Sequence, residues 1–143
     1  SSYDRFVPGA HAPTAASWAH ENRTAALRVP SGGPAARRIE HRVAGGDINP
    51  YLLIAVILSA ALNGLEDHEA PPPPITGNAY AQDLPQLPRT WDAAIAAFAE
   101  APEIRRIFTT GLIDNMLATK RQELHYMGEL SDTERRDLYL DTV

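Results

Sequence analysis

The stretch "NRTAALRVPSGGPAARRIEHR", residues 22–42, places Arg23, Arg28, Arg37, Arg38 and Arg42 among apolar neighbours in a chain of formal net charge −5. Solvated arginines usually alternate with Lys and Glu, but these alternate with Leu, Val and Ile. Strand periodicity sorts them. In residues 24–29, Ala25, Leu27 and Val29 take one face and Thr24, Ala26 and Arg28 the other, the pattern of a half-buried strand that Pro30 ends. Gly32, Gly33 and Pro34 then give a loop rather than a two-residue turn. Residues 36–43 read as a second strand, with Arg38, Glu40 and Arg42 on one face and Arg37, Ile39, His41 and Val43 on the other. Antiparallel pairing puts Arg28, Arg38, Glu40 and Arg42 on one surface. Arg23 has the wrong parity for that face and enters from the preceding turn or a bulge.

Three arginines on one face repel each other, and a single glutamate cannot neutralise them. Spacing alone leaves two readings open. One is a phosphate or acidic-substrate site, in which guanidinium forks grip oxyanions and Glu40 helps to hold a divalent cation. The other is a salt-bridge network closed by acidic residues elsewhere in the chain.

Composition narrows the field. With 143 residues the chain is one domain at most. Its acidic balance argues against nucleic-acid binding. The absence of cysteine excludes disulfides and thiolate zinc sites. No charged start followed by an apolar segment suggests a signal peptide, so a cytoplasmic protein is expected. The opening "SSYDRFVPG", without an initiator methionine, points to a piece of a larger protein. Lys120 is the sole lysine, which fits an Ala- and Arg-rich genome but does not explain why arginines cluster before residue 43.

Beyond the hairpin, Asn49 as N-cap and Pro50 at the first helical position start a helix. Its apolar run from Tyr51 to Leu58 is too short to span a membrane, so a buried core helix is expected, with Gly64 near its end. The four prolines at 71–74 lead into an irregular stretch to Pro88, either a linker or a surface arm laid across the domain. Thr90 caps a helix with Trp91, Ile95 and Phe98 on its core face and Asp92 in its first turn. Pro102 begins another, weakened at Gly111, so that two segments can meet there. The pattern then continues through Ile113, Met116, Leu117, Lys120 and Leu124 to a stop at Gly128. Ser131 and Glu134 form a capping box for a last helix carrying Leu138 and Leu140. The fold class expected is α+β: antiparallel strands carrying the arginines, packed on the long apolar helix and followed by a helical C-terminal region.

The segments "SYDRFVPG", "AP", "ENRTAALRVP", "ARRIEHR" and "INPYL", in this order and spacing, resemble the C-terminal part of the glutamine synthetase catalytic domain. The likeness extends through "GNAY", the helix after Leu87–Pro88, Lys120 with Glu123, and Tyr139–Leu140, and so covers essentially the whole chain. It implies an ATP-dependent ligase that phosphorylates the glutamate side-chain carboxylate and lets an amine displace the phosphate. By resemblance, Arg5 holds the substrate α-carboxylate and Arg23 contacts the transferred phosphoryl group and acyl phosphate. Arg28 and Arg38 face ATP phosphates, Glu40 binds Mg²⁺ or Mn²⁺, and Arg42 binds glutamate. The resemblance also implies a ring-shaped homo-oligomer, expected to be a dodecamer. Further metal-binding glutamates, a histidine and an aspartate from a neighbouring subunit's N-terminal domain would lie outside residues 1–143.

One departure matters: "PGAHAP" puts His11 where ammonia-using members carry a glutamate that attracts ammonium and accepts a proton. An unperturbed imidazole is mostly neutral at pH 7 and attracts a small cation less well than a carboxylate does, though it remains a general base. This favours an alkylamine or polyamine substrate, as in the family's γ-glutamylpolyamine branch, over ammonia. His20, His41, His68 and His125 share no metal-ligand spacing. Tyr80 falls where some bacterial members carry a nucleotidylated tyrosine, but its flanking residues differ from that motif. Two other function classes are weighed: a non-catalytic family relative with a structural or ligand-sensing role, and a free-standing anion-binding module.

Overall fold

The computed structural model describes residues 2–142 as an α+β arrangement of three short strands and five helices. The strands are β1 (Trp18–His20), β2 (Leu27–Val29) and β3 (Glu40–His41), in sheet order β1-β2-β3. β2 and β3 pair antiparallel, with Leu27 opposite His41 and Arg28 opposite Glu40. Both strands are shorter than alternation predicts. β1 has no counterpart in the sequence reading and pairs parallel with β2, Trp18 opposite Leu27 and His20 opposite Val29. Parallel neighbours usually need a crossover of a dozen residues. Here residues 21–26 suffice, because the strands are short and Glu21, at φ +50°, turns the chain immediately after β1.

Beside this sheet lies a core of small side chains. Phe6, Ala12, Pro13, Thr14, Ala15, Ala19, Ala25, Ala26 and Ala79 are buried, along with Ile113 from the helical region. Alanines bring backbones close together, and much of the holding then falls to hydrogen bonds. The prolines and the irregular stretch after them supply many of these bonds, resolving the linker-or-arm alternative in favour of an arm. Trp18 Nε1 donates to Pro72 O (2.6 Å), Ile75 N to Trp18 O (3.0 Å) and Leu87 N to Thr14 O (2.9 Å). Ala16 N donates to Pro85 O (2.7 Å), and Ala15 bridges Gln86.

Helix α1 (Pro50–Glu66) starts where the sequence says: Asn49 Oδ1 accepts from Tyr51 N (3.0 Å) and Leu52 N (3.2 Å). It ends in a Schellman motif, with Glu69 N donating to Gly64 O and His68 N to Leu65 O. His68 occupies the left-handed position at φ +53°, a conformation that glycine adopts more readily. The expectation of a buried core helix is corrected. No residue of α1 is buried, and Tyr51, Ile54, Leu58, Leu62 and Leu65 form an exposed stripe along one face. The helix lies against α3 (Ile104–Ile107), where Arg106 pairs with Asp67, rather than acting as the floor of the hairpin. A helix that is apolar all round calls for cover on every side, and the described residues cover only part of it.

α2 (Trp91–Glu100) turns Trp91, Ala94, Ile95, Phe98 and Ala99 inward as a half-buried face, and packs on α4 (Thr110–Glu129). The helix expected from Pro102 divides into α3 and α4. Thr109 recaps the chain with its hydroxyl accepting from Leu112 N, so the break falls just before Gly111. α4 runs through Gly128 to Glu129 rather than stopping at the glycine. The capping box forms ahead of α5 (Asp132–Thr142): Ser131 N donates to Glu134 Oε2 (2.8 Å), and Glu134 N donates to Ser131 Oγ (3.4 Å). None of the helices described is long and apolar enough to cross a membrane.

The α1 stripe predicts concentration-dependent self-association of the isolated chain, because exposed leucines in register bury readily against one another. Sedimentation velocity should show a rising average mass with concentration, reduced by Leu58→Lys. A clean monomer at high concentration would count against it.

Candidate active site

The β2–β3 register builds the centre of the site. Directly opposed residues on one sheet face bring their side chains within reach, and Arg28 faces Glu40 across the strands. Arg28 Nη1 donates to Glu40 Oε2 at 2.8 Å, and Arg38, two residues before Glu40, reaches Glu40 Oε1 at 3.5 Å. A second carboxylate that sequence reasoning missed comes from the turn after β1. Glu21 Oε2 accepts from Arg28 Nη2 at 2.7 Å, while its other oxygen accepts from the backbone N–H of Ser31. Arg28, only 14% exposed, is therefore held between two carboxylates, while Arg38 is 57% exposed. Nothing local in "HENRT" announces this contact. It depends on the positive φ of Glu21 and the parallel placement of β1.

The electrostatics follow from these contacts. The Ser31 N–H and then Arg28 hold the Glu21 carboxyl at about 2, well below the usual carboxylate range. Arg28, with Arg38 as a weaker influence, lowers Glu40, and the two glutamates raise Arg28 in turn. Of the two readings left open by spacing, the salt-bridge network is thus closed within this chain. The network still leaves a donor over. Arg28 Nε is buried without a partner among the described residues, as is Arg5 Nε. A buried polar group left unpaired costs roughly 1–3 kcal/mol, so both guanidinium groups are suited to a further acceptor.

Arg42 and Arg5 serve the loops. Arg42 donates through Nη1 to the carbonyls of Arg23 and Ala25 (3.3 Å to the latter), and through Nη2 to His11 O at 2.7 Å. Its backbone N–H donates to Ala26 O. Arg5 donates to Val43 O (2.7 Å) and Ala44 O (3.3 Å) and lies over the Phe6 ring at 5.3 Å. Arg23 reaches this region from the loop after β1, with an exposed side chain. His11, at φ +57°, exposes its side chain at the end of a turn whose next four residues are buried. Tyr80, half-buried in the arm, donates its hydroxyl to Ala12 O at 2.9 Å, so its oxygen is engaged within the fold. Lys120 and Glu123 pair at 2.6 Å on α4, apart from the β2–β3 cluster.

Residues 1–138 match the family model described as glutamine synthetase, catalytic domain. The chain belongs to the glutamine synthetase family. It is 40% identical to the γ-glutamylethanolamide synthetase of Streptomyces coelicolor, over 87% of this chain and 27% of that protein. Identity to the γ-glutamylputrescine synthetase of Escherichia coli is also 40%, over 87% of this chain and 26% of that one. The glutamine synthetase of Aquifex aeolicus is 34% identical over 99% of this chain and 32% of its own length. The chain thus spans about a quarter to a third of the curated relatives it matches. Among solved structures it resembles apo GmaS without ligand, with a TM-score of 0.73 and 28% identity, covering 94% of this chain and 31% of that one.

Glutamine synthetases in general use ATP and a divalent cation, and Glu40 offers a hard oxygen ligand of the right kind. It fits as one ligand and not as a site. Both its oxygens already accept from arginines, and no group of three metal-ligating side chains occurs among the described residues.

Titration tests the network directly. Because the folded value of Glu21 lies below its ordinary 4.5, the contribution of its contacts to stability is full above that pH and disappears as the pH falls through about 2. Carbon-13 NMR of the glutamate carboxyls should give a Glu21 midpoint near 2, and Arg28→Gln should raise the midpoints of both Glu21 and Glu40. A Glu21 midpoint in the ordinary range would show that these contacts do not persist in solution.

Proposed function

We propose that this chain is the C-terminal portion of the catalytic domain of an ATP-dependent glutamate–amine ligase. The rest of the domain, and an N-terminal domain, would come from elsewhere in a longer polypeptide. The observation that carries the reading is the cluster of Arg28 and Glu40, opposed across β2 and β3, with Arg38 reaching Glu40 from the loop before β3, in a chain of the glutamine synthetase family. In the reaction, an oxygen of the glutamate γ-carboxylate attacks the terminal phosphorus of ATP and ADP leaves. The amine nitrogen then attacks the resulting acyl carbon, phosphate departs, and a base removes the proton from nitrogen.

Each step makes a demand on these residues. Charge spreading over the transferred phosphoryl oxygens calls for fixed cations. Arg28 and Arg38 serve the nucleotide phosphates, and Arg23, exposed on its loop, serves the transferred group. Glu21 occupies one prong of Arg28, so phosphate binding there requires Glu21 to yield, which its 45% exposure permits. Glu40 would supply one ligand to a divalent cation, which would offset phosphate charge. Arg5 and Arg42 each keep guanidinium N–H groups beyond their carbonyl bonds, and these suit the carboxylates of glutamate. His11 takes the proton from the adduct. The apolar stripe of α1 packs against the remainder of the polypeptide, and the full-length protein assembles as a homo-oligomeric ring.

An imidazole in place of a carboxylate, together with 40% identity to two γ-glutamylamine synthetases, supports an alkylamine as the nucleophile. The test uses the full-length protein with glutamate, ATP and Mg²⁺, comparing phosphate release with putrescine, ethylamine, ethanolamine and ammonium. An alkylamine should give the highest kcat/KM, and a maximum with ammonium would refute the choice. The 143-residue chain alone should show no ATP hydrolysis that depends on glutamate and amine. Robust turnover by it would overturn the proposed division of the domain.

A further inference from the structure

The turn that carries His11 is held from behind by two side chains from distant parts of the chain. Arg42 Nη2 donates to His11 O at 2.7 Å, and the Tyr80 hydroxyl donates to Ala12 O at 2.9 Å. These are consecutive carbonyls at the boundary between exposed residues 7–11 and buried residues 12–15. His11 itself sits at φ +57°, where a side chain larger than glycine persists only when its surroundings fix it. Arg42 reaches the boundary from the end of β3. Tyr80 reaches it from the arm, whose own position is set elsewhere by the bonds of Asn22 Nδ2 to Gly77 O (2.6 Å) and of Ala79 N to Thr24 Oγ1 (3.0 Å).

We propose that Tyr80 is a positioning residue for amine recognition, fixing the direction in which His11 points by clamping the carbonyl that follows it. Arg42 holds one side of the boundary and Tyr80 the other, so the imidazole is aimed by the arm as well as by the sheet. The inference rests on the reading of His11 as the residue that meets the amine. The hydroxyl is the operative atom. The ring of Tyr80 would fill the same space in phenylalanine, whereas the bond to Ala12 O would be lost.

The experiment compares Tyr80→Phe with Gln82→Ala in the full-length protein that carries this chain. Among the described residues Gln82 Nε2 donates within the arm, to Thr76 O (2.9 Å) and Asn78 O (3.2 Å), so its variant loosens the arm without touching the clamp. One lost hydrogen bond corresponds to a factor of about five. Tyr80→Phe should therefore raise the KM for the amine about fivefold while leaving the KM values for ATP and glutamate within twofold. Gln82→Ala should leave all three unchanged. Hydrogen–deuterium exchange of the peptide covering residues 7–12 gives a readout that needs no turnover, and it should quicken in Tyr80→Phe alone. Unchanged exchange in Tyr80→Phe, or a parallel rise in all three KM values, overturns the clamp. If no amine-dependent turnover exists in the unsubstituted protein, the proposed ligase reading fails, and exchange at residues 7–12 still decides whether Tyr80 fixes the turn.

Discussion

One guanidinium, that of Arg42, collects the carbonyls of Arg23, Ala25 and His11. Those three acceptors lie on two loops that form no ladder with each other. Irregular backbone still needs donors, most of all at Ala25 O, whose bond is partly buried, while those to Arg23 O and His11 O are exposed. Strands of three, three and two residues cannot supply them. Arginine can, since it presents five donors in a fixed fork and keeps its charge throughout the physiological range. A lysine in the same place would offer a compact ammonium without the reach to span both loops. The site is therefore organised less by its sheet than by side chains that bind backbone.

The same chemistry divides the arginines of residues 22–42 into two kinds. Arg42 is spent largely on carbonyls, whereas Arg28 and Arg38 are spent on carboxylates. Arg28 shows why a chain that is acidic overall can keep a dense basic cluster. Glu21 balances it from the turn after β1 and Glu40 from β3. The unpartnered Nε of Arg28 remains as the donor that no side chain of the described residues satisfies.

What could be read from the sequence was what neighbouring residues decide. Asn49 before Pro50, Thr90 before Trp91 and Ser131 with Glu134 are caps whose donors and acceptors lie within one helical turn, and each forms where it was expected. Alternation correctly opposed Arg28 to Glu40 across the strands. It also placed Arg42 on their face and Ile39 with Val43 on the opposite one, whereas beyond the short strands Arg42 turns to loop carbonyls and Ile39 is exposed. β1 and Glu21 escaped notice for the opposite reason. Three residues, "WAH", carry too little pattern to announce a strand, and the Glu21–Arg28 contact depends on a left-handed turn that glutamate rarely adopts. Helix α1 was misjudged because an all-round apolar sequence states a need for cover without naming its source. The arm could not be distinguished from a linker, since, the Tyr80 hydroxyl apart, it bonds to the rest of the chain through backbone atoms common to every residue.

The arm also fixes the order in which the site can come into being. Bonds from Pro72, Gly77 and Tyr80 reach back 54, 55 and 68 positions to Trp18, Asn22 and Ala12. During synthesis, the segment bearing His11, Arg23 and Arg28 leaves the ribosome well before the residues that secure it. Contacts of such long range are late events in folding, because the loop between the partners must close before any bond rewards it. The arginine-bearing segment is consequently held in place only when the chain beyond the prolines returns to it.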